Sequence, residues 1–593
     1  MQPAMTDQLP RAFLNVSRSL TGRHWVGPPP DLERLAEGLS QQAGLPLTVA
    51  RILAARGIAA AEAPGFLDPR LRDLMPDPRR LRDMRPAAAR LLDAARRGQR
   101  VAVFADYDVD GAGSAALLIR WLRAQGVRAT LYIPDRIDEG YGPNPAAIAG
   151  LAAAHDLIVC VDCGTLAHEA LAAARGAADV IVLDHHLGGE TLPPALAVVN
   201  PNRADETGDL GHLCAAGVVY LTLVEANRQA REAGHGPMPD LIPLLDLVAL
   251  ATVADVAPLV GVNRAFVRQG LAIMARRGNC GLTALADSAR LDSTPTAFHL
   301  GYVLGPRINA GGRVGAADLG ARLLASDDPG ESAQLAARLE ALNEERRAIE
   351  TAVREAALAQ AEAREDGGAL AWAAGEGWHP GVVGIVAARL KEATDRPAVV
   401  IGIEDGIGKG SARSVPGVDL GRAIQRLAAE GLLLKGGGHM MAAGLTVAAD
   451  RIALAMARLE ALLAPALAAA PGRGTLRVSG LLTPAAATPE LWEMIERAGP
   501  FGPAAPTPRH VFADQLIGSA TTMGQGRHLR LNFRDGSGAA MEAIAWGAME
   551  GPLGPALIGA RGGRFHLAGR LELSHWQGRA RLRLRLDDAA PAG

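Results

Sequence analysis

Cysteines and aromatics are scarce in this 593-residue chain: four cysteines, with aromatic residues at 4%. Cys160, Cys163, Cys214 and Cys280 are too few for a disulfide framework and fit a reducing compartment. Cys160 and Cys163 form a lone C-x-x-C inside an apolar run, without the second pair that a zinc site wants, so they read as structural rather than redox-active or zinc-binding. Net charge is also lacking: 61 Lys and Arg against 63 Asp and Glu leave -2 at pH 7. A nucleic-acid partner would therefore need a local basic patch. Long hydrophobic runs are missing as well. The opening MQPAMTDQLPRAFLN has no apolar segment of the secretory type, and no run reaches the roughly 18 apolar residues of a membrane span. The expectation is a cytoplasmic protein that spans no membrane. No segment matches G-x-x-x-x-G-K-[ST], since Lys409 in GIGKGSARS is followed by Gly410, so an ATPase is not expected.

What is present is apolar material for several cores, 49% of residues, over a length that suits about three or four domains. The stretch VAVFADYDVDGAGSAAL, Val101 to Leu117, reads as a buried strand that ends in acids at alternate positions, Asp106, Asp108 and Asp110. Gly111 and Gly113 then permit a tight turn into a helix. Carboxylates this close repel one another unless cations lie between them, and hard oxygen ligands suit Mg²⁺ or Mn²⁺. Strands VAVFAD, ATLYIP, LIVCVD and VIVLD alternate with Ala-rich helices, the pattern of a parallel sheet covered on both faces. Three of them end in acids, Asp106, Asp162 and Asp184, and His185 and His186 follow the last. Asp255 ends the helical stretch PLLDLVALATVAD. Each acid alone has an ordinary explanation as a helix cap. Four acid-bearing segments in one domain, one with paired histidines, point to chemistry.

DYDVDG, VDCG, DHH and ATVADVAPL, in that order and spacing, resemble the four motifs of the DHH phosphoesterase superfamily. GPRINAGGRVG, Gly305 to Gly315, looks like a segment of the RecJ family of bacterial single-strand-specific exonucleases. WHPGVVGIVAARL, GSARS and GGGHMMAAG resemble the DHHA1 domain, and GPFGPAAPTPRHVF resembles the segment that opens the RecJ C-terminal region. One departure is Ala504-Ala505, where that family usually has Gly-Asn.

The resemblance implies an α/β fold. A parallel-sheet DHH domain is joined by a long helix to a smaller α/β DHHA1 domain, with a C-terminal OB-fold β-barrel. The expected boundaries are a helical region over 1–95, the DHH domain over 96–325, a connecting helix over 326–366, DHHA1 over 367–470 and the barrel over 474–590. The connecting segment has dense charge and no internal Gly or Pro after Gly330, so it reads as one long exposed helix rather than a coiled-coil seam. By the same resemblance Asp106, Asp108, Asp162, His185 and Asp255 hold two divalent ions, Mn²⁺ or Mg²⁺, with Asp162 bridging. Asp110 supports the site, Asp184 orients ligands, His186 contacts the scissile phosphate or the leaving group, and Arg307 and Arg313 add positive charge.

Substrate contacts are expected from Arg307, Asn309, Ser411, Arg413, Gly437, Gly438 and His439, the last five near a 5′-terminal phosphate. On the residues alone, the glycines of that turn read equally as a packing requirement. In the C-terminal region His528, Arg530, Asn532 and Arg534 alternate with apolar residues, and Arg579, Arg581, Arg583 and Arg585 do the same. Period two puts cations on one face of a barrel, which suits single-strand binding; Arg530, Arg581 and Arg583 are the expected contacts. The activity implied is a 5′-3′ exonuclease on single-stranded DNA, serving recombination and repair, as a monomer assisted by a helicase and a single-strand-binding protein. The rivals are a phosphodiesterase for short oligonucleotides or cyclic dinucleotides, which would share the acids but not need the Arg rows, and a catalytically dead scaffold, which would have broken motifs.

Overall fold

The computed structural model describes residues 11–135, 139–140, 142–364, 368–469, 474–576 and 579–592. The first ten residues and the side chain of Arg579 lie outside the described residues. The chain divides into two compact units, residues 71–470 and residues 1–70 with 471–593.

In the first of these units, the four strands expected from the sequence form, and a fifth, Ala197–Val199, joins them. All pair in parallel, in the spatial order Ala129–Tyr132, Val101–Ala105, Leu157–Val161, Asp179–Leu183, Ala197–Val199. Val101–Ala105 and Leu157–Val161 are buried at every residue, which is why they read as continuous apolar runs. The strand order reverses between these two, so the crevice at their carboxyl ends is where an open α/β sheet holds ligands. Asp106 and Asp162 are the next residues on those strands.

A 35-residue helix, Pro329–Ala363, leads out of this domain. Asp328 caps it by accepting from the Glu331 N–H, and Pro329 occupies its first position. At 1.5 Å per residue it spans about 52 Å. It is not the exposed spacer expected from its charge. Leu335, Leu339 and Leu342 are buried toward the first domain, while Val353, Ala357 and Ala361 join the core of the next. The two faces lie on different halves, so neither half shows a broad apolar stripe. The DHHA1-like domain that follows is a mixed sheet, Lys435–His439, Ala442–Ala448, Ile407–Arg413, Ala398–Glu404, Ala371–Glu376. Its last helix, Ile452–Ala469, is with the preceding turn long and apolar enough to cross a membrane by length and composition, although Arg458 and Glu460 interrupt the apolar run. Ile452, Ala455, Met456, Leu459 and Leu463 pack into the domain core, and Arg458 pairs with Glu430.

In the second unit, strands Gly480–Leu481, His510–Met523, His528–Arg534, Ala540–Ala545, Arg579–Pro591 and Arg564–Trp576 form one sheet. Pairing of Arg564–Trp576 with His510–Met523 closes it into a barrel. Its core includes Leu39, Val49 and Leu53 from the N-terminal helices beside Phe512, Leu531 and Leu567. Trp25 donates through its indole N–H to the buried Asp588 at 2.9 Å. The helical region expected over 1–95 thus contributes residues to both units. Ala504 has φ 56°, the left-handed region that favours glycine, so the Ala-for-Gly departure places about 1–2 kcal/mol of backbone strain in that loop.

Candidate active site

The acids are positioned by backbone N–H groups at helix starts. Asp108 caps the helix Val109–Ala124, accepting from Asp110 N at 2.9 Å and Gly111 N at 3.0 Å. Gly111 is required there, because a Cβ would lie 2.3 Å from the Asp106 carbonyl oxygen. Asp110 reaches a different helix and accepts from Ala215 N at 2.6 Å and Ala216 N at 2.8 Å, at the start of Ala215–Glu232. The positive end of each helix thereby meets a carboxylate.

Asp184 accepts from Thr165 N (3.0 Å), Thr165 Oγ1 (2.7 Å), His185 N (2.7 Å) and His186 Nδ1 (2.8 Å). Burial alone would raise the Asp184 carboxyl. The bonds from His186 and Thr165 outweigh it and hold the group well below the usual carboxylate range. Burial likewise opposes charge on His186, yet its pKa is pushed up to about 9 by the bond and charge of Asp184. Asn200 donates to the His186 carbonyl at 2.8 Å and Asn202 to the His185 carbonyl at 2.6 Å, bracing the histidine pair from behind. Sequence reasoning missed Thr165, Asn200 and Asn202; the N-P-N that follows the short fifth strand was the available signal.

Three groups of side chains converge with ligand atoms within 4.8 Å of one another: Asp106 with Asp108 and Asp162, Asp110 with His185 and Asp255, and Asp162 with His185 and His186. His185 Nε2 lies 3.3 Å from Asp162 Oδ1 and 3.7 Å from Asp110 Oδ2, and its Nδ1 lies 3.9 Å from Asp255 Oδ2. All five expected metal ligands, together with Asp110 and His186, are thus brought together.

Asp162 tests whether these residues fit divalent cations. Its carboxylate is buried, its Oδ1 accepts no hydrogen bond, and its backbone has φ 60°. Burial first, then Asp110, Asp108, Asp106 and Asp184, push its pKa well above the ordinary value. Burial and the same neighbours, Asp110 and Asp108, raise Asp255 to about 8. A strained, crowded carboxylate with an unsatisfied acceptor is unfavourable by itself and is stabilised by a cation. The donor set, carboxylate oxygens with imidazole, suits Mg²⁺ and Mn²⁺.

Arg307 and Arg313 both have partners within the protein. Arg307 forms a two-pronged ion pair with Glu340 of the long helix and donates to the Val303 carbonyl, and Arg313 donates to the Gly381 carbonyl at 2.8 Å. These contacts fasten the Gly305–Val314 helix to its neighbours. Asn309 leaves a buried Oδ1 without a hydrogen-bond partner.

Ser411 and Arg413 are adjacent on one strand face, Arg413 Nη1 donating to Ser411 Oγ at 3.0 Å. Across the sheet, Arg413 pairs in register with Ala442 and so with His439, and Ser411 with Gly444 and so with Gly437. Gly438 has φ 151°, and a Cβ there would lie 2.4 Å from Ala443 Cα. Packing therefore demands that glycine, while at Gly437 nothing lies within 4 Å. In the barrel Arg530 and Arg581 are exposed, but Arg583 is paired with Glu572 across the ladder at 2.8 Å. The second Arg row is thus partly neutralised.

The DHH family N-terminal domain model matches residues 100–252, the DHHA1 domain model 366–464 and the RecJ OB domain model 478–588. A relative from Dickeya dadantii, named single-stranded-DNA-specific exonuclease RecJ, is 38% identical over 531 residues, 85% of this chain and 89% of its own. One of the same name from Escherichia coli is 35% identical over 93% of this chain and 96% of its own. The crystal structure of RecJ in complex with Mn²⁺ from Thermus thermophilus superposes with a TM-score of 0.77 at 30% identity, covering 95% of this chain and 79% of that one.

Replacing Asp162 by Asn removes a crowded charge. In chelator-treated protein Asp162→Asn is expected to raise the melting temperature by several degrees, while Mn²⁺, which raises that of the wild type, is expected to have little effect on the variant. Differential scanning fluorimetry with and without metal reads both. A variant stabilised by Mn²⁺ as strongly as the wild type would remove Asp162 from the ligand set.

Proposed function

The chain belongs to the RecJ family, and from that membership and the convergence of its buried acids we propose that it is a metal-dependent exonuclease that degrades single-stranded DNA. The observation that carries this reading is Asp162, a buried carboxylate oriented by its strand end and left with an unsatisfied oxygen. Asp106, Asp108, Asp162, His185 and Asp255 would hold two ions, Mn²⁺ or Mg²⁺, with Asp162 shared. When bound, such ions supply Lewis acidity and acidify a water.

The remaining work falls to the chain. Asp110 and Asp184 hold helix starts and the histidine pair in place. Asp184 takes the Nδ1 proton side of His186, which leaves Nε2 to hydrogen-bond a phosphate oxygen or protonate the departing 3′ oxygen. Ser411 and Arg413, with the Gly437–His439 turn, hold the 5′-terminal phosphate; Arg suits it through charge-assisted paired bonds. Loss of the 3′ oxygen leaves a new 5′ phosphate on the shortened strand, so each turnover regenerates the feature that those residues recognise. Degradation therefore runs 5′ to 3′. The exposed cations of the barrel, Arg530 and Arg581, add affinity for the strand. The protein acts in the cytoplasm as a monomer, in recombination and repair, on strands opened by a helicase and covered by a single-strand-binding protein.

Digestion of end-labelled single-stranded and duplex DNA with and without chelator tests the reading; loss of single strands only, and only with metal, is expected. Equal loss of duplex, or activity in chelator, would overturn it. Arg413→Ala is expected to lose about 1.5–3 kcal/mol of interaction with a 5′-phosphorylated strand and less with a 5′-hydroxyl strand. Equal losses in kcat/KM on the two would place end recognition elsewhere. For the barrel, Arg530→Ala with Arg534→Ala is expected to lower the salt dependence of binding by about 0.7 in slope for each phosphate no longer neutralised. An unchanged slope by fluorescence anisotropy would count against a role for these arginines in holding the strand. The double substitution tests this better than deletion of the barrel, which would strip residues 1–70 of their shared core.

A further inference from the structure

Phe298 and Tyr302 are large aromatics on the surface, 53% and 70% exposed, in a chain with few aromatics to place there. Their rings stack with centroids 5.2 Å apart and planes 25° from parallel, and His299 meets Phe298 edge-on at 5.8 Å. A capping box between Thr296 and His299 fixes the start of this short helix. It continues into a π-helical turn, Leu300–Leu304, a geometry that is rare and frequent at functional sites.

The turn is placed against the acids. Gly301 lies against Val253, and Gly305 against Ala254 and Val109, so the turn crosses the last residues before Asp255 and the helix start after Asp108. Val256, next to Asp255, is 66% exposed with φ 61°, a second apolar side chain left open to solvent near an acid in sequence. A stacked ring pair that leaves Tyr302 mostly open to solvent, on a turn packed against the residues that flank Asp255 and Asp108, is a platform lacking one layer.

Resting on the reading of the site as a nuclease of single strands, the geometry points to Tyr302, backed by Phe298, as the stacking position for one nucleobase of the strand beside the acid cluster. A single strand entering the acids has unstacked bases, and every base offers a π face to an aromatic ring without regard to sequence. A paired base is already stacked on both sides, so this position also favours single strands over duplex.

The test places 2-aminopurine, whose fluorescence is quenched by stacking, at successive positions of a short 5′-phosphorylated strand bound to the full chain in the Asp162→Asn background. Quenching is expected to peak at one position, to vanish there in Tyr302→Ala, to weaken in Phe298→Ala and to persist in Tyr302→Trp. Tyr302→Ala is expected to weaken binding by roughly 5- to 150-fold, the range for loss of one stacked base. An abasic residue at the quenched position is expected to weaken wild-type binding and to leave Tyr302→Ala unaffected. If the wild type cuts single strands but the quenching profile is the same in Tyr302→Ala, the stacking assignment is overturned and the nuclease reading stands. If Tyr302→Ala instead alters the sedimentation coefficient with the profile unchanged, the rings face another copy of the chain. If the wild type does not cut single strands, the nuclease reading itself fails.

Discussion

Repulsion among buried carboxylates is the constraint that the first domain is built around. Asp106, Asp110 and Asp162 are almost wholly removed from water, and Asp108 and Asp255 stand within a few ångströms of them. The fold meets this by aiming helix starts at individual acids. Asp108 caps the helix that follows it, Asp110 caps Ala215–Glu232 from a distance, and Asp184 gathers five donors from two loops. Each of these arrangements supplies partial positive charge where a carboxylate would otherwise be destabilised. Asp162 is a buried acid whose Oδ1 receives no such donor, and it sits where the sheet reverses its strand order. The strand order thus delivers the unsatisfied group to the crevice where open α/β sheets hold ligands.

The long helix transmits this geometry to the next domain. Glu340 on it holds Arg307, and its leucines fill the space beside Gly311 and Gly315. Arg313, at the end of the same short helix, donates to Gly381 at the start of Pro380–Thr394, and a Cβ at Gly381 would lie 2.4 Å from the Arg313 carbonyl. One turn further on, Gly384 leaves room for Ser411 and Arg413. The GPRINAGGRVG segment is therefore a junction. Its glycines and arginines make close packing between three elements.

The main strands and the acids were legible because each acid ends an apolar run, and such a boundary is visible in a linear sequence. The supports were not. The backbone donors at Ala215 and Ala216 leave no trace in residue type, and Glu340, the partner of Arg307, lies 33 residues away on a helix whose charge suggested only an exposed spacer. In the barrel, His510–Met523 escaped notice because two register shifts break its alternation, between Phe512 and Gln515 and between Ile517 and Ser519. The Arg rows were legible as rows, but period two says only which face a side chain takes. It does not show that Glu572 stands opposite Arg583.

The junction also bears on how much strand is removed at a time. On the proposed reading, hydrolysis that regenerates a 5′ phosphate repeats only if the distance between the residues proposed to hold that phosphate and the acids stays constant from one turnover to the next. Arg313 with Gly381, and Gly384 with Ser411 and Arg413, link the two sets through close contacts of one helix, Pro380–Thr394, rather than through a loop. Close packing resists small displacements, because any shift opens gaps on one side and crowds atoms on the other. With the phosphate held where proposed, a fixed span of this kind would set the increment of degradation by geometry, without any need for the protein to read the bases it passes.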